Sequence, residues 1–270
     1  AGALKSPHLL MLSGIGPKDQ LQKFGIPLVH ELSGVGQNLM NHLSAQITFK
    51  VKDGLSLHGD VDAVHFGLHY TSHGSSEVND MLLRTTPMVS QRPERVPGLR
   101  TKYLNNEVPP DRVARLSVTL GLPDGSGYVR LASADPSAQP SFNYCYLQHP
   151  NDSRRVREGI RMATEFLESG AYKDVCDYRL HPTDDILADD DALDLYIRRT
   201  VGTARHVSGT CKMGPDSDPM AVVDQYCSVK GVQGLSVVDA SVKPRITRSG
   251  GSHATVLMMA ERAVDWIAPA

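Results

Sequence analysis

A regular alternation of apolar and polar residues runs from Ala45 to Val51 and predicts a strand with one buried face. Residues 80–90 and 112–120 are also predicted to be extended, and a further strand leaves the glycine turn at Gly127. Residues 91–111 are rich in proline and charge, which is typical of a loop. The pattern therefore places several strands in the middle of the chain.

Turn residues mark short elements near the start of the chain. Ser6 is predicted to cap a short helix that ends at Gly14. A second helix starts at Gly16-Pro17 and ends near Gly25, and residues 26–29 follow as a strand-like segment. The first segment is therefore predicted as two short helices and a strand.

Two longer helices are predicted from a helical period of apolar residues. Asp152 is the expected cap of the first helix, and Gly170 lies just past its end. The apolar stripe of this helix comprises Val156, Ile160, Ala163 and Leu167. The second helix covers residues 254–266 and directly follows Ser252-His253.

Two clusters of polar residues raise the question of a metal site. Residues 61–73 are predicted as a helix, which would place His65, His69 and His73 on one face, where imidazoles four residues apart can share a zinc ion. No carboxylate or cysteine ligand accompanies them, so solvated histidines are the favoured interpretation. The acidic residues 184–194 lead into a helix ending at Arg198-Arg199, a charge order that suits the helix dipole. We therefore predict no metal.

Composition and charge restrict the partners of the chain. Of 270 residues, 40% are hydrophobic and 21% charged, and the formal net charge is −2. This charge gives no electrostatic basis for binding nucleic acid or an anionic membrane. No apolar run approaches the roughly 20 residues that span a bilayer. The four cysteines lack C-x-x-C spacing and are predicted to be thiols in a reducing compartment, which favours the cytoplasm.

Two histidines lie in settings that indicate chemistry. His206 begins the segment His-Val-Ser-Gly-Thr-Cys, and His253 lies in Gly-Gly-Ser-His-Ala-Thr. Between them, residues 237–241 predict a buried strand with Asp239 near its C-terminal end, where ligands bind in open α/β sheets. A helix start at His253 would direct backbone N–H groups at an electron-rich ligand. The pair favours an acid–base site, and the alternative is a core histidine and a helix cap.

Five segments resemble, in order, the motifs of one enzyme family. The first is residues 2–17, Gly-Ala-Leu-Lys-Ser-Pro-His-Leu-Leu-Met-Leu-Ser-Gly-Ile-Gly-Pro, and the others are 35–42, 127–136, 206–214 and 237–241. The first segment resembles the second signature of the glucose–methanol–choline (GMC) flavoprotein oxidoreductases. Because the set is ordered and spans most of the chain, the sequence is similar to the C-terminal portion of such an enzyme.

The resemblance implies oxidation of an alcohol by FAD. It aligns His206 with the catalytic histidine that takes the hydroxyl proton, a role that suits a neutral imidazole. It aligns His253 with a second catalytic position, which would bind the substrate oxygen. The residues it assigns to the cofactor are Asn38, Asp239, Ala240, Ala254 and Thr255.

The implied fold combines α/β and α+β parts. Residues 1–43 and 201–270 would form part of an FAD-binding Rossmann-like domain. Residues 44–200 would form a substrate-binding domain, a mostly antiparallel sheet covered by helices.

The chain departs from the family pattern in several places. Arg205 precedes the catalytic histidine where an aromatic residue or Asn is common, and a local salt bridge is its favoured role. Lys243 replaces a frequently apolar residue, and Thr255 replaces a proline. The G-x-G-x-x-G fingerprint that holds the FAD pyrophosphate is absent from the sequence. We therefore expect a second chain to carry the fingerprint, and activity only in its presence.

The expected function is FAD-dependent oxidation of a small alcohol to an aldehyde or ketone, without nucleic acid or a membrane span. Two alternatives remain: a hydroxynitrile lyase with the same fold, and a non-catalytic binding or regulatory subunit.

Overall fold

The computed structural model describes residues 1–55, 67–86, 108, 112–248 and 251–267. It contains two compact units. Unit 1 comprises Ala1–His42, Pro123–Gln148 and Ala204–Ala270, and unit 2 comprises Leu43–Leu122 and His149–Thr203.

The helices in chain order are α1 (Lys5–Leu12), α2 (Lys18–Lys23), α3 (Pro150–Glu168), α4 (Asp184–Ala188), α5 (Asp190–Thr200) and α6 (His253–Ile267). The strands are β1 (Ile15–Gly16), β2 (His30–Glu31), β3 (Leu43–Val51), β4 (Gly67–Tyr70), β5 (Met81–Thr86), β6 (Val113–Leu120), β7 (Tyr128–Arg130), β8 (Ser141–Asn143), β9 (Cys176–His181) and β10 (Gly202–Thr203).

Unit 2 is built on an antiparallel sheet in the order β10-β3-β6-β5-β4, with β9 also paired to β3. In β3 buried and half-buried residues alternate strictly, as the apolar pattern predicted. The predicted strands at 80–90 and 112–120 are present as β5 and β6, although residues 87–90 lie outside the described part of the chain. The expectation of a mostly antiparallel sheet with helices is confirmed.

Helix α3 packs its predicted stripe inward, since Val156, Ile160, Ala163 and Leu167 are all buried. Gly159 permits close packing in this helix, because a Cβ there would lie 2.6 Å from both the Tyr70 hydroxyl and a Val118 methyl. The helix begins at Pro150, with His149 as its N-cap. The prediction of Asp152 as the cap is therefore wrong, and Asp152 lies in the first turn.

A buried ion cluster fixes this first turn. Arg155 donates to Asp152 Oδ1 at 2.7 Å and to Asp80 Oδ2 at 2.9 Å, and all three side chains are at most 3% exposed. Asp80 also accepts from the backbone and hydroxyl of Ser72. Burial alone would raise the pKa of Asp80, but these hydrogen bonds reverse the effect and lower it. The cluster joins β5, its preceding turn and α3.

The helix predicted over residues 61–73 is wrong where the structure describes it. Residues 67–70 form the edge strand β4, and His69 lies in that strand while His73 follows in a turn. The shared helical face proposed for zinc is therefore absent from residues 67–73, and His65 lies outside the described residues. The loop predicted for 91–111 falls almost wholly outside them as well. The acidic segment does form helix starts, and Asp189 caps α5 by accepting from Ala192 N–H.

Unit 1 contains the parallel pair β1–β2, the antiparallel hairpin β7–β8 and a core contributed by α1, β7 and the segment 211–242. Two predictions for the first residues of unit 1 are wrong. Helix α1 begins at Lys5, so Ser6 lies within it and does not cap it. Residues 26–29 are not a strand, and the pairing falls instead on His30–Glu31.

Helix α6 confirms the helix predicted at residues 254–266, but it buries little apolar surface within the chain. Ala263 is its one buried residue among those described, whereas Leu257, Met258, Val264 and Ile267 are exposed. An apolar groove of about 270 Å³ lies beside it, lined by Val238, Ala260, Ala263, Val264 and Ile267.

Within the described ranges, no helix has both the length and the apolar character that crossing a bilayer requires. All four cysteines are free thiols.

Candidate active site

His206 lies directly opposite His42 in unit 1. Met40 and Ser208 form an antiparallel bridge, with their two backbone N–H···O bonds at 2.9 and 3.0 Å. Residues two positions away from such a pair oppose each other again, and this register brings the two histidines together. Their Nδ1 atoms are 2.8 Å apart, and the rings meet edge-on at an angle of 82°.

An unusual backbone conformation directly precedes His206. Arg205 adopts a left-handed conformation with φ of 64°, which is uncommon outside glycine and Asn. The N–H of His206 then donates to Asn41 Oδ1 at 2.7 Å. His206 is thus held both through its backbone and through its ring.

His42 extends the connection toward the start of α6. It is 1% exposed, and its Nε2 lies 2.8 Å from the carbonyl oxygen of Thr247. Thr247 precedes His253, the first residue of α6, in the sequence. His253 itself is exposed, and residues 249–250 between them lie outside the described part of the chain.

Asp239 forms a junction between distant parts of unit 1. It accepts from Ser241 N–H at 2.7 Å, Gly2 N–H at 3.0 Å and Ser6 Oγ at 2.5 Å. Burial raises the pKa of this carboxyl, but the hydrogen bonds outweigh it and lower the pKa to about 2. The strand predicted over residues 237–241 is wrong, because Asp239 caps a 3₁₀ turn at Ala240–Val242.

Asn38 and Ala240 lie on either side of one loop. Asn38 has a left-handed φ of 60°, and its Nδ2 donates to the Gly209 carbonyl at 3.2 Å. The N–H of Gly209 donates to the Ala240 carbonyl at 3.1 Å. A Cβ on Gly209 would lie 2.5 Å from the Asn38 carbonyl oxygen, so glycine is required for this approach. Two of the residues assigned to the cofactor are thereby joined.

The start of α6 presents donors to an electron-rich group. Ala254 is exposed in its first turn, and Thr255 Oγ1 donates to the Ser252 carbonyl at 2.9 Å. The Ser252 hydroxyl is buried and has no hydrogen-bond partner among the described atoms. Backbone N–H groups of a first helical turn also lack intrahelical acceptors. This donor set fits a group with anionic or carbonyl oxygens, as a flavin has.

A buried cation stands beside this helix start. The ammonium of Lys243 is 3.1 Å from Thr255 Oγ1 and 3.5 Å from Thr247 Oγ1, and Lys243 is 4% exposed. Burial lowers its pKa. Two of the three residues that depart from the family pattern, Lys243 and Thr255, thus contact each other.

Not every polar group in the motifs is reactive. Cys211 is the last residue of the segment that begins at His206, but it is fully buried, and burial raises the pKa of its thiol to about 12. It belongs to the core of unit 1. The thiol of Cys211 is therefore a packing group of unit 1.

Family models identify the chain. One described as GMC oxidoreductase matches residues 123–260, and a second with the same description matches residues 1–44. The chain belongs to the GMC oxidoreductase family.

Relatives within the GMC family extend over nearly the whole chain. Oxygen-dependent choline dehydrogenase of Photobacterium profundum is 33% identical over 99% of this chain and 49% of the relative. Mitochondrial choline dehydrogenase of Homo sapiens is 35% identical over 98% of this chain and 46% of its own length. The chain thus spans about half the length of the curated relatives it matches.

Solved structures with a similar fold support the family assignment. Pyridoxine 4-oxidase from Mesorbium loti superposes with a TM-score of 0.84 at 26% identity, covering 98% of this chain and 50% of that one. The R554A variant of Aspergillus oryzae RIB40 formate oxidase, which was described in terms of FAD modification, gives a TM-score of 0.81 at 25% identity, over 98% of this chain and 52% of that one. The fold is that of a GMC oxidoreductase over the part of it that this chain spans.

Proposed function

We propose that this chain provides the acid–base part of an enzyme that oxidises a small alcohol to an aldehyde or ketone with FAD. The observation that carries the proposal is the paired imidazole of His206, oriented by His42 and Asn41. Relatives named as choline dehydrogenases and a pyridoxine oxidase support an alcohol as substrate.

In this mechanism, His206 takes the hydroxyl proton of the alcohol as the C–H bond breaks. FAD, when bound, supplies the acceptor for the hydride that leaves the alcohol carbon. His253 donates a hydrogen bond to the substrate oxygen and stabilises the negative charge that develops there. The products are the carbonyl compound, a protonated His206 and the reduced cofactor.

The residues proposed to hold FAD surround the same region of unit 1. Ala254 and Thr255 offer backbone donors at the start of α6, where negative charge is favoured. Asp239, Ala240 and Asn38 shape the loop beside His206 through the hydrogen bonds described above. Support for FAD comes from the family and from the fit of this donor set.

A G-x-G-x-x-G fingerprint does not occur in these 270 residues. We propose that a segment outside these residues supplies it, and mass spectrometry of the native protein shows whether that segment lies on the same polypeptide or on a co-purifying one. A 29.4 kDa species that holds stoichiometric FAD alone would contradict the proposal. The free thiols support the cytoplasm as the proposed compartment.

Replacement of His206 tests the function. In His206→Ala, anaerobic flavin reduction by an alcohol should slow by about 10²- to 10⁴-fold while FAD stays bound. Choline and pyridoxine are the first substrates to try, and the measurement is the loss of the oxidised flavin absorbance when an alcohol is added without oxygen. Unchanged reduction in the variant would remove His206 from this role. Failure of every alcohol to bleach the wild-type flavin would favour the lyase or the non-catalytic subunit.

A further inference from the structure

Both ring nitrogens of the buried His42 are committed to specific partners. Its Nε2 lies 2.8 Å from the Thr247 carbonyl oxygen, and its Nδ1 lies 2.8 Å from Nδ1 of His206. In the proposed function His42 orients His206 and takes no part in the proton transfer. These contacts also determine which nitrogen of His206 carries its hydrogen.

The carbonyl of Thr247 determines the tautomer of His42. A carbonyl oxygen can only accept a hydrogen bond, so His42 Nε2 must carry the hydrogen. A neutral imidazole carries one hydrogen, and burial at 1% exposure disfavours the charged ring. Nδ1 of His42 therefore bears a lone pair and acts as an acceptor.

The same reasoning continues to His206. The hydrogen bond between the two Nδ1 atoms requires one donor, and His42 Nδ1 is the acceptor. His206 must then carry its hydrogen on Nδ1. In the neutral ring this leaves the basic lone pair on Nε2.

We propose that His42 is a positioning residue that holds His206 in the Nδ1–H tautomer, so that Nε2 of His206 is the proton acceptor. The role of His206 as base rests on the proposed function, whereas its tautomer does not. The opposite arrangement, with hydrogen on Nε2, would leave His206 a donor toward the substrate and unable to take its proton.

The arrangement also accommodates the protonated product. When Nε2 takes the hydroxyl proton, His206 becomes an imidazolium that still donates from Nδ1 to the neutral His42. The positive charge gains an acceptor and meets no second charge on His42, so the hydrogen bond strengthens. No proton has to pass to His42, and the balance of the reaction is unchanged.

Long-range ¹H–¹⁵N NMR of ¹⁵N-histidine-labelled protein tests the tautomer directly. We expect His206 to be protonated at Nδ1 and His42 at Nε2, with signals assigned from His206→Gln and His42→Asn. A wild-type His206 protonated at Nε2 would overturn the inference, whatever the activity. Failure to oxidise any alcohol would leave this spectrum unaffected and would count against the proposed function alone.

Two variants separate positioning from folding. His42→Leu removes the acceptor, and His206 should shift toward the Nε2–H form while flavin reduction slows by about 10²-fold with little change in apparent substrate affinity. His42→Asn keeps an oxygen near the position of Nδ1, and it should restore the Nδ1–H form and most of the rate. His8→Asn alters another buried histidine of unit 1 and should leave the His206 signals in place. If His42→Leu does not fold, the spectra of the wild type and of His42→Asn still test the proposal. A folded His42→Leu variant that reduces flavin slowly while His206 keeps its Nδ1–H tautomer would contradict the proposed positioning role.

Discussion

The ammonium of Lys243 lies 3.1 Å from the hydroxyl of Thr255, in the first turn of α6. Both of its described partners are neutral hydroxyls, and no carboxylate ion-pairs with it in the described part of the chain. A buried cation without an anionic partner is costly to maintain. Its position beside a proposed flavin-binding turn therefore comes at the expense of stability.

Lys243→Met is expected to raise the free energy of unfolding by about 1 kcal/mol at pH 7, because it removes this buried charge and keeps most of the volume. Urea denaturation measures the change. Lys18→Met, on an exposed lysine, is the control and should stay within about 0.5 kcal/mol of the wild type. A destabilised Lys243→Met would mean that the two hydroxyls more than offset the burial of the ammonium.

The pH dependence of Lys243 provides a second test. Since burial lowers its pKa in the folded chain, the folded form releases the proton at a lower pH than the unfolded chain does. This contribution makes the wild type more stable as the pH rises toward the ordinary lysine pKa of 10.5. Denaturation at two alkaline pH values should show this rise in the wild type and a smaller one in Lys243→Met.

Asp239 should stabilise the folded chain at neutral pH, whereas the buried ammonium of Lys243 destabilises it. The folded Asp239 pKa of about 2 lies below the ordinary 3.8, so its stabilisation is complete above pH 3.8 and is lost as the pH falls through 2. The shift corresponds to about 2 kcal/mol. Asp239→Asn should lose roughly this much at neutral pH and show a flatter acid denaturation curve. Asp19→Asn, which changes an exposed carboxylate, should retain the wild-type curve.

Arg155→Met should cost about 3–5 kcal/mol, because it leaves two buried carboxylates, Asp80 and Asp152, without their cation. Thermal unfolding followed by circular dichroism measures the loss. The adjacent Arg154 supplies a matched control, since its pair with Glu158 is 40% and 34% exposed. Arg154→Met should change stability by less than about 0.5 kcal/mol, and equal effects of the two changes would argue against the cluster.

Gly159→Ala should destabilise unit 2 by about 1–3 kcal/mol, although alanine is the better helix former. The added methyl would lie 2.6 Å from Val118 Cγ1 and the Tyr70 hydroxyl. Gly170→Ala is the control, because nothing lies within 4 Å of its added methyl. Denaturant midpoints distinguish the two, and a stabilised Gly159→Ala would show that α3 can move away from the sheet.

Elements with a strong period were predictable from sequence. β3 and α3 each present one apolar face to the core. The burial of their residues in the structure follows the apolar alternation of β3 and the apolar stripe of α3. β4 was not predictable, because this short edge strand is mostly exposed and has no apolar alternation to distinguish it from a helix. Residues 237–241 were predicted as a strand because two valines precede the carboxylate of Asp239, but this carboxylate accepts a hydrogen bond from Ser241 N–H and caps a 3₁₀ turn.

His42 was part of a recognised motif but was not predicted as a site residue. Its importance arises from the antiparallel register that links Met40 to Ser208, residues far apart in sequence. No local pattern in a single sequence encodes such a pairing. The predicted roles of His206 and His253 rest on the family resemblance, and the structure adds the partners of the first and the helix that begins with the second.

The exposed apolar side of α6 has a consequence for hydrogen exchange. Isolated helices of this length are marginal in water, and most helical stability in proteins comes from packing. The amides of α6 should therefore exchange with solvent much sooner than those of α3, whose stripe is buried. His253 begins the faster-exchanging helix, whereas His206 is anchored by Asn41 and His42. One histidine of the proposed pair is thus fixed by the fold, and the other is fixed only as firmly as the packing on α6 allows.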